Sequence, residues 1–191
     1  GSGYGANGSI NCGDVSVTND QTVEMWIYAT SIGSPSRQNP WNKAYAGEGT
    51  ITLETGGDFN YFYGTSGGDG AVYQGVNSGS VLPGSTWTHV TFVRDLSSAS
   101  KTVRWYFNGV RILNGSASYA YAQASPANPL YLGKGYTSPF LGILDEVRMS
   151  TAARSSNWVW ACWRDQASNT TFTLYGAASP NGGPIIENRA V

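Results

Sequence analysis

Apolar and polar residues alternate with a period of two along much of the chain, which is the pattern of β-strands with one buried face. Between Thr22 and Ala29, the apolar side chains Val23, Met25 and Ile27 fall on one face, and mainly polar or amphipathic residues fall on the other. Comparable alternation predicts long strands over residues 88–94, 101–108 and 143–149. Shorter predicted strands cover residues 50–54, 60–63, 71–75, 111–113, 129–133 and 172–175.

Turn sequences rich in glycine, asparagine, aspartate and proline separate these strands, and Asn108-Gly109 is the strongest hairpin signal among them. One segment has a helical period instead, with Ser155 or Ser156 as the predicted N-cap. The residues that share one face of this helix are Trp158, Val159, Cys162 and Trp163. We expect a short helix that packs on a sheet.

Many short strands and one short C-terminal helix predict an all-β fold, an antiparallel two-sheet jelly-roll sandwich. One domain over residues 1–176 is the expected organisation. Residues 177–191 contain a Ser-Pro-Asn-Gly-Gly-Pro run of linker composition, followed by Ile-Ile-Glu-Asn-Arg. This tail is predicted to be a linker and the start of a following domain.

Five segments, in this order, resemble the concanavalin A-like jelly-roll domains of the laminin G-like type. They are Thr-Val-Glu-Met-Trp-Ile at 22–27, Trp-Thr-His-Val at 87–90, Trp-Tyr-Phe-Asn-Gly at 105–109, Leu-Tyr-Leu-Gly at 130–133 and Phe-Leu-Gly-Ile-Leu-Asp-Glu-Val-Arg at 140–148. The segment at 151–161 is similar to the C-terminal part of such domains in large bacterial secreted or cell-surface proteins.

The resemblance implies a sandwich with one concave and one convex sheet. It implies a binding or adhesive role, usually toward carbohydrate, in an extracellular multidomain protein. The expected partners are therefore a polysaccharide or glycan and the neighbouring domains of the same chain. The alternative function is a structural or self-associating adhesin or spacer module that binds protein neighbours.

Composition narrows the function classes further. Charged residues make up only 12% of the chain and the net charge is −1, so no basic surface for nucleic acid is expected. The longest apolar stretch, at 158–163, is much shorter than a membrane span, and no membrane insertion is expected. Aromatic residues reach 13%, which suits a neutral surface that binds sugars.

Catalytic sequence patterns are not found. Glycosidases need two acids in one cleft, but the glutamates are isolated along the chain, and the only histidine, His89, lies inside a predicted strand. We therefore expect a protein that is not an enzyme. A cross-strand charge ladder on a solvated face is the interpretation of Glu24, Arg94, Arg104, Glu146 and Arg148.

Sugar binding requires exposed aromatic faces with planar polar groups beside them. Tyr61 and Tyr63 lie two apart on one predicted strand, and Tyr73 on the next strand can face them. The predicted ligand-binding residues are Tyr61, Tyr63, Tyr73, Trp41, Asn60, Gln74 and Tyr136. Further candidates in the same segments are Tyr45, Tyr119, Tyr121, Arg37, Asn39 and Asn42. The alternative is that these tyrosines are ordinary core and surface residues of a sandwich.

Asp145 falls on the same side of its strand as Ile143, Val147 and Met149, and a buried carboxylate needs partners. It can accept backbone N–H groups, or it can ligate a structural Ca²⁺, the one cofactor considered. Cys12 and Cys162 also leave two alternatives. A disulfide would close a loop of about 150 residues, whereas two independent buried thiols need no pairing.

Overall fold

The computed structural model describes residues 8–33 and 36–168, which form twelve β-strands and one α-helix. The strands are β1 (Ile10–Asn11), β2 (Gln21–Ala29), β3 (Gln38–Ala44), β4 (Gly49–Leu53), β5 (Asp58–Gly64), β6 (Tyr73–Val81), β7 (Thr88–Asp95), β8 (Thr102–Phe107), β9 (Val110–Ser116), β10 (Tyr131–Leu132), β11 (Ser138–Pro139) and β12 (Gly142–Ser150), and the helix is α1 (Ser156–Ala167). The strand predicted over 172–175 and the tail at 177–191 lie outside the described residues.

The strands form two sheets, and the predicted two-sheet sandwich is confirmed. The seven-stranded sheet has the order β1-β10-β3-β4-β5-β6, with β11 paired to β3. The five-stranded sheet has the order β12-β2-β7-β8-β9. All pairings are antiparallel except that of β11 with β3. Both predicted hairpin strands around Asn108-Gly109 are present as β8 and β9.

The core fills the space between the sheets, as the alternation predicted. Val23, Met25 and Ile27 of β2 are fully buried, and they belong to one cluster with Trp105 of β8 and Phe59 of β5. Burying such side chains stabilises a fold by about 1.5–3 kcal/mol each. The apolar faces of β2 and β8 were therefore assigned correctly from period two alone.

Strand β3 was not predicted, because it reads Gln-Asn-Pro-Trp-Asn-Lys-Ala and has only two apolar residues besides its proline. Its polar side chains are nonetheless buried, since partners satisfy them. The Asn39 amide donates to Thr52 Oγ1 at 3.0 Å, while its Oδ1 accepts from the Thr137 amide at 2.9 Å. A polar strand inside a sheet is stable here because a loop covers its outer face.

The predicted solvated charge ladder is wrong for Arg94 and Glu24, which are 0% and 2% exposed. Arg94 lies on the same face of β7 as Val90 and Phe92, so the alternation itself directs its side chain into the core. Glu24 lies on the outer face of β2, and the polypeptide that follows β12 passes over this face, since Thr22 Oγ1 donates to the Ala152 carbonyl and Trp26 Nε1 donates to Gln166. Only Arg104 and Arg148 keep ion pairs at the surface, with Asp95 and Glu146.

Strand β12 contains a β-bulge between Asp145 and Arg148, and Glu146 adopts a φ of 50°. The bulge changes which residues face inward. Leu144 and Val147 pack against the core, whereas Asp145 is exposed. The expectation that Asp145 points to the apolar side is therefore wrong, because a strict period of two does not continue through a bulge.

Helix α1 packs on the outer face of the five-stranded sheet, as expected. Ser155 is its N-cap and accepts a hydrogen bond from the Trp158 amide at 3.2 Å. Val159 is fully buried against Val93 and Tyr106. Within the described part of the chain, no helix has the length and apolar character needed to cross a membrane.

Gly109 fixes how closely α1 approaches the β8–β9 turn. It has a φ of 75°, and a Cβ atom added there would lie 2.9 Å from the Trp163 ring. Replacing Gly109 by alanine is expected to lower the free energy of unfolding by at least about 2 kcal/mol, because left-handed strain adds to the clash. The matched control is Gly79→Ala, since Gly79 has a φ of 67° and open space around it.

Chemical denaturation of both variants checks this prediction. The control is expected to lose only the cost of the left-handed backbone, about 1–2 kcal/mol. Equal losses in the two variants would mean that Gly109 is needed for the turn alone and not for helix packing.

Candidate functional site

The outer face of the seven-stranded sheet carries a group of aromatic and amide side chains. On β5, Tyr61 and Tyr63 point into the core, so Asn60 and Phe62 point outward. Phe62 lies opposite Gly75 of β6 in the register of the two strands. These outward residues form the floor of the site.

Three further rings gather around Phe62, and we call Tyr45, Phe62, Tyr73 and Tyr136 the aromatic patch. The Tyr45 ring is central, with ring centroids 5.1 Å from Phe62, 4.3 Å from Tyr73 and 4.8 Å from Tyr136. Tyr73 and Tyr136 are 38% and 39% exposed, so both present ring surface to solvent. The patch is therefore partly exposed to solvent, although its rings pack against one another.

Local sequence explains how the rings come together. Glycine at position 75 is required because an added Cβ would lie 2.8 Å from the Phe62 ring, which occupies that space. Tyr136 is carried by the loop between β10 and β11, and the neighbouring Thr137 fixes that loop by donating from its hydroxyl to Asn39 Oδ1 at 2.6 Å. Burial raises the pKa of Tyr136, so its phenol is neutral at ordinary pH.

An ion pair borders the aromatic patch. The Arg37 Nε lies 2.8 Å from Glu54 Oε2, and Arg37 Nη2 donates to Glu54 Oε1 at 3.0 Å, which is a bidentate arrangement. The guanidinium carbon also lies 5.1 Å from the Phe62 centroid and 5.6 Å from that of Tyr136. The opposite charges of Arg37 and Glu54 cancel, and this ion pair lies directly beside the rings of the aromatic patch.

Two asparagine side chains on this face have unused hydrogen-bonding capacity. Asn60 Oδ1 on β5 and Asn42 Oδ1 on β3 are shielded from solvent, and neither accepts a hydrogen bond from the described residues. A buried amide oxygen without a donor costs free energy, roughly 1–3 kcal/mol. A hydroxyl group from a ligand or a water molecule would supply the missing donor once the side chains that shield these oxygens move.

The structure places only three of the seven predicted ligand-binding residues on this face, namely Tyr73, Tyr136 and Asn60. Trp41, Tyr61 and Tyr63 are at most 1% exposed, so the prediction that they present their rings to a sugar is wrong. Gln74 faces a different neighbour, since its amide donates to the Ser116 carbonyl at 2.8 Å.

The buried tyrosines serve the core instead. The Tyr61 hydroxyl accepts from Arg94 at 2.6 Å and donates to the Glu48 carbonyl at 2.9 Å, and burial raises its pKa to about 12. The Tyr63 hydroxyl accepts from the Tyr119 amide at 3.1 Å. Sequence alternation put both on one face, but the composition of β5 does not say which face is inside, because both faces are aromatic.

Phe62 and Glu54 were not predicted as site residues. Phe62 alternates with Tyr61 and Tyr63, so its outward direction follows once those tyrosines are assigned to the core. Glu54 was dismissed as an isolated acid, because its partner Arg37 lies 17 residues away in sequence. Tyr45 and Arg37 were among the wider candidates, and the structure brings both to the patch.

The structure also describes the surroundings of the predicted calcium ligand, Asp145, and of the two cysteines. Asp145 Oδ1 accepts from the Glu146 amide at 2.9 Å in an exposed position. Over residues 8–33 and 36–168, no three histidine, cysteine, aspartate or glutamate side chains come together in a way that could hold a metal ion. Cys12 and Cys162 are free thiols, the first exposed and the second half-buried, so the disulfide alternative is not the one observed.

The fold and this open polar face define a lectin-type sandwich. The chain belongs to the concanavalin A-like lectin/glucanase superfamily, whose laminin G-type family model matches residues 2–160. This confirms the resemblance inferred from the sequence. No curated protein sequence matches the chain.

Solved structures share the fold at low sequence identity. Domain 4 of an extracellular arabinanase from Geobacillus stearothermophilus, solved with arabinotriose, is 20% identical with a TM-score of 0.58, over 77% of this chain and 68% of that one. The CBM40 of a Ruminococcus gnavus IT-sialidase, bound to α2,3 sialyllactose, is 14% identical with a TM-score of 0.60, over 76% and 83%.

The binding domain of botulinum neurotoxin serotype G is also similar, with 10% identity and a TM-score of 0.61 over 84% of this chain. The match spans only 40% of the neurotoxin domain. At these identities the likeness establishes the fold.

Proposed function

We propose that this domain is a non-catalytic carbohydrate-binding module and that a glycan binds across the aromatic patch. The observation that carries the proposal is the pair of exposed rings, Tyr73 and Tyr136, beside the unpartnered amide oxygens of Asn42 and Asn60. Rings alone would fit any apolar partner. Rings together with free acceptors and a balanced ion pair fit a molecule with C–H faces and many hydroxyl groups.

Each part of the site has a role in this proposal. The C–H face of a sugar ring stacks on Tyr73 or Tyr136, and sugar hydroxyls donate to Asn60 Oδ1 after a shift of the side chains that shield it. The Arg37–Glu54 pair offers a donor and an acceptor side by side, as vicinal hydroxyl groups require. The oligosaccharide-bound arabinanase domain and CBM40 support this assignment by sharing the fold.

The proposal also concerns where the protein acts and which domains accompany this module. We infer a secreted or cell-surface bacterial protein in which this module holds other domains near a polysaccharide. The low charge of the chain, 12%, supports an extracellular β domain. The scattered acids support a module without hydrolytic activity, because the described part of the site offers Glu54 only in an ion pair.

A second function is favoured by a separate observation. Ile10, Leu141 and Ile143 are 52%, 40% and 49% exposed, and together with neighbouring residues they line an apolar groove that shares no residue with the aromatic patch. Such a surface fits a structural or self-associating module that binds protein neighbours. Concentration-dependent mass in solution distinguishes this function from sugar binding.

Substitution of Tyr73 or Tyr136 by alanine is expected to weaken glycan binding about tenfold, because each change removes about 1.4 kcal/mol of ring contact. Affinity electrophoresis across plant, algal and host polysaccharides identifies a ligand, and titration calorimetry then measures the affinity. The matched control is Tyr121→Ala, since Tyr121 is 50% exposed on the loop after β9. Retention of the folded protein by no polysaccharide, or equal losses in all three variants, would contradict the proposal.

A further inference from the structure

In the described part of the chain, Arg37 is the one cation that lies against rings of the aromatic patch. Its guanidinium contacts Phe62 and Tyr136, and no other lysine or arginine lies over a ring of the patch. Its Nε and Nη2 atoms lie 2.8 Å and 3.0 Å from the two carboxylate oxygens of Glu54. Both side chains are partly exposed, so a ligand on the rings meets an ion pair and not a free guanidinium.

The two lysines of the seven-stranded sheet and its loops do not supply a free cation to the patch. Lys43 of β3 is buried and pairs with Asp14 and Glu48. Lys134 lies 4.7 Å from the ring centroid of Tyr131. Tyr131 belongs to β10, which lies three strand spacings from β5, or about 14 Å. This distance exceeds the screening length of about 8 Å at physiological salt, so Lys134 adds little charge at the floor of the patch.

A further carboxylate lies on the same outer face of the sheet. Asp58 precedes Asn60 by two residues on β5, and its carboxylate accepts a hydrogen bond from the side-chain amide of Asn77 on β6. Asn77 is the register partner of Asn60. The face therefore carries the compensated pair of Arg37 and Glu54 and one additional negative charge. An acidic ligand is repelled by this additional charge and finds no unpaired cation beside the rings.

The unused hydrogen-bonding atoms on this face are acceptors. Asn42 Oδ1 and Asn60 Oδ1 accept no hydrogen bond from the described residues. A sugar hydroxyl can donate to such an oxygen once the shielding side chains move, whereas an ionised carboxylate has acceptor atoms only. Hydrogen bonding and charge therefore favour the same class of ligand, which is rich in hydroxyl groups and has no ionised group.

We propose that the ligand of the aromatic patch is an uncharged glycan and that Glu54 determines this specificity. Because Glu54 holds the Arg37 guanidinium in an ion pair, a sugar carboxylate can form a salt bridge with Arg37 only by displacing the Glu54 carboxylate. An amino sugar likewise finds no free carboxylate beside the rings, since Arg37 occupies that of Glu54. This inference rests on the proposed function and names the class of sugar that the site accepts.

Affinity electrophoresis of the full chain at physiological ionic strength tests the specificity. The uncharged probes are arabinan, xylan, galactan and glucan, each compared with its own carboxymethyl derivative, which differs from the parent polymer by the added charge. Polygalacturonate and alginate are further acidic probes, and chitosan is the basic one. The unaltered protein is expected to bind at least one uncharged polymer and to bind its carboxymethyl derivative at least about tenfold more weakly, because a buried or crowded like charge opposes binding.

Two variants assign the specificity to the ion pair, namely Glu54→Gln and its matched control Asp58→Asn. Each replaces one carboxylate of the outer face by an amide of the same shape, but only Glu54→Gln frees the Arg37 guanidinium. Glu54→Gln is expected to bind the carboxymethyl derivative at least about tenfold more tightly than the unaltered protein does, because a free guanidinium forms charge-assisted hydrogen bonds with a carboxylate. Asp58→Asn is expected to change this affinity less than about threefold, as exposed charges do. Unfolding in urea checks that both variants fold.

Three results would count against this inference, and they are distinguishable. Tighter binding of the unaltered protein to an acidic or basic polysaccharide than to every uncharged one would overturn the proposed class of ligand and leave sugar binding intact. An equal gain in the two variants, or a gain in neither, would overturn the role of Glu54. Retention of the folded protein by none of the probes would contradict the proposed function itself, and this inference with it.

Discussion

Replacement of Arg94 by alanine is expected to lower the free energy of unfolding by at least about 4 kcal/mol. The guanidinium is 0% exposed and makes four hydrogen bonds. It donates to the carbonyls of Val17 at 2.7 Å, Asn19 at 2.8 Å and Glu48 at 2.8 Å, and to the Tyr61 hydroxyl at 2.6 Å. Truncation leaves these buried acceptors without a donor and opens a cavity.

Equilibrium unfolding in urea measures the loss, and Arg104→Ala is the matched control. Arg104 lies on β8, opposite Val93 of β7, and its Nη2 donates to Asp95 at 3.4 Å near the surface. The control is expected to lose at most about 1 kcal/mol, as exposed or partly exposed ion pairs do. Arg94→Lys keeps the charge but not the fork, so an intermediate loss is expected. Similar losses in the Arg94→Ala and Arg104→Ala variants would contradict a central role for Arg94.

Acidification is expected to destabilise the domain between pH 6.5 and 4 through His89. Burial, together with the nearby Arg148, lowers the pKa of His89 from 6.5 to about 4. The unfolded chain therefore takes up a proton at a pH where the folded chain does not, and stability falls as the pH decreases through this range. The shift corresponds to about 3 kcal/mol, fully lost only near pH 4.

The chain has one histidine, so NMR titration of the imidazole measures this pKa directly. Urea unfolding at several pH values then gives the linked stability. His89→Gln is expected to remove this part of the acid dependence. An imidazole pKa near 6.5 in the folded protein would show that the side chain is accessible to water and would contradict the prediction.

The contribution of Glu24 to stability changes with pH in the opposite direction to that of His89, so it gives a second test of the pH dependence. Its Oε2 lies 3.7 Å from His89 Nε2, neither carboxylate oxygen has a hydrogen-bond partner in the described structure, and burial raises its pKa. The folded state therefore favours the protonated carboxyl, and the contribution of Glu24 to stability decreases as the pH rises above 4.5. Glu24→Gln is expected to raise stability at pH 7 and to have little effect near pH 4.

These residues show how far sequence reasoning reached. Alternation along β2 and β7 correctly selected the apolar core, and the same alternation contained the inward direction of Arg94. A charged residue was nevertheless assigned to solvent, because its four acceptors come from segments remote in sequence. Glu24 was assigned to a solvated face for a related reason, since the polypeptide that covers the outer face of β2 follows more than a hundred residues later.

The candidate site was also predicted in part from the sequence and decided in part by the tertiary structure. Asn60, Tyr73 and Tyr136 were predicted, but they lie in three separate segments, and their meeting depends on the loop between β10 and β11. The wrong assignments of Trp41, Tyr61 and Tyr63 came from treating every tyrosine or tryptophan near a polar residue as a surface group. Tyrosine is suited to both environments, because a buried hydroxyl needs only one or two partners.

The sequence by itself determined the two-sheet sandwich, the position and capping of α1, the low charge and the apolar faces of β2, β7 and β8. These features depend on local period, turn chemistry and capping, which act within a few residues. Only the tertiary structure decided which aromatic rings are exposed, which charges are buried, and how the bulge in β12 turns Asp145 outward. Those outcomes depend on contacts between distant segments, and burial and hydrogen bonding are properties of the assembled sheets.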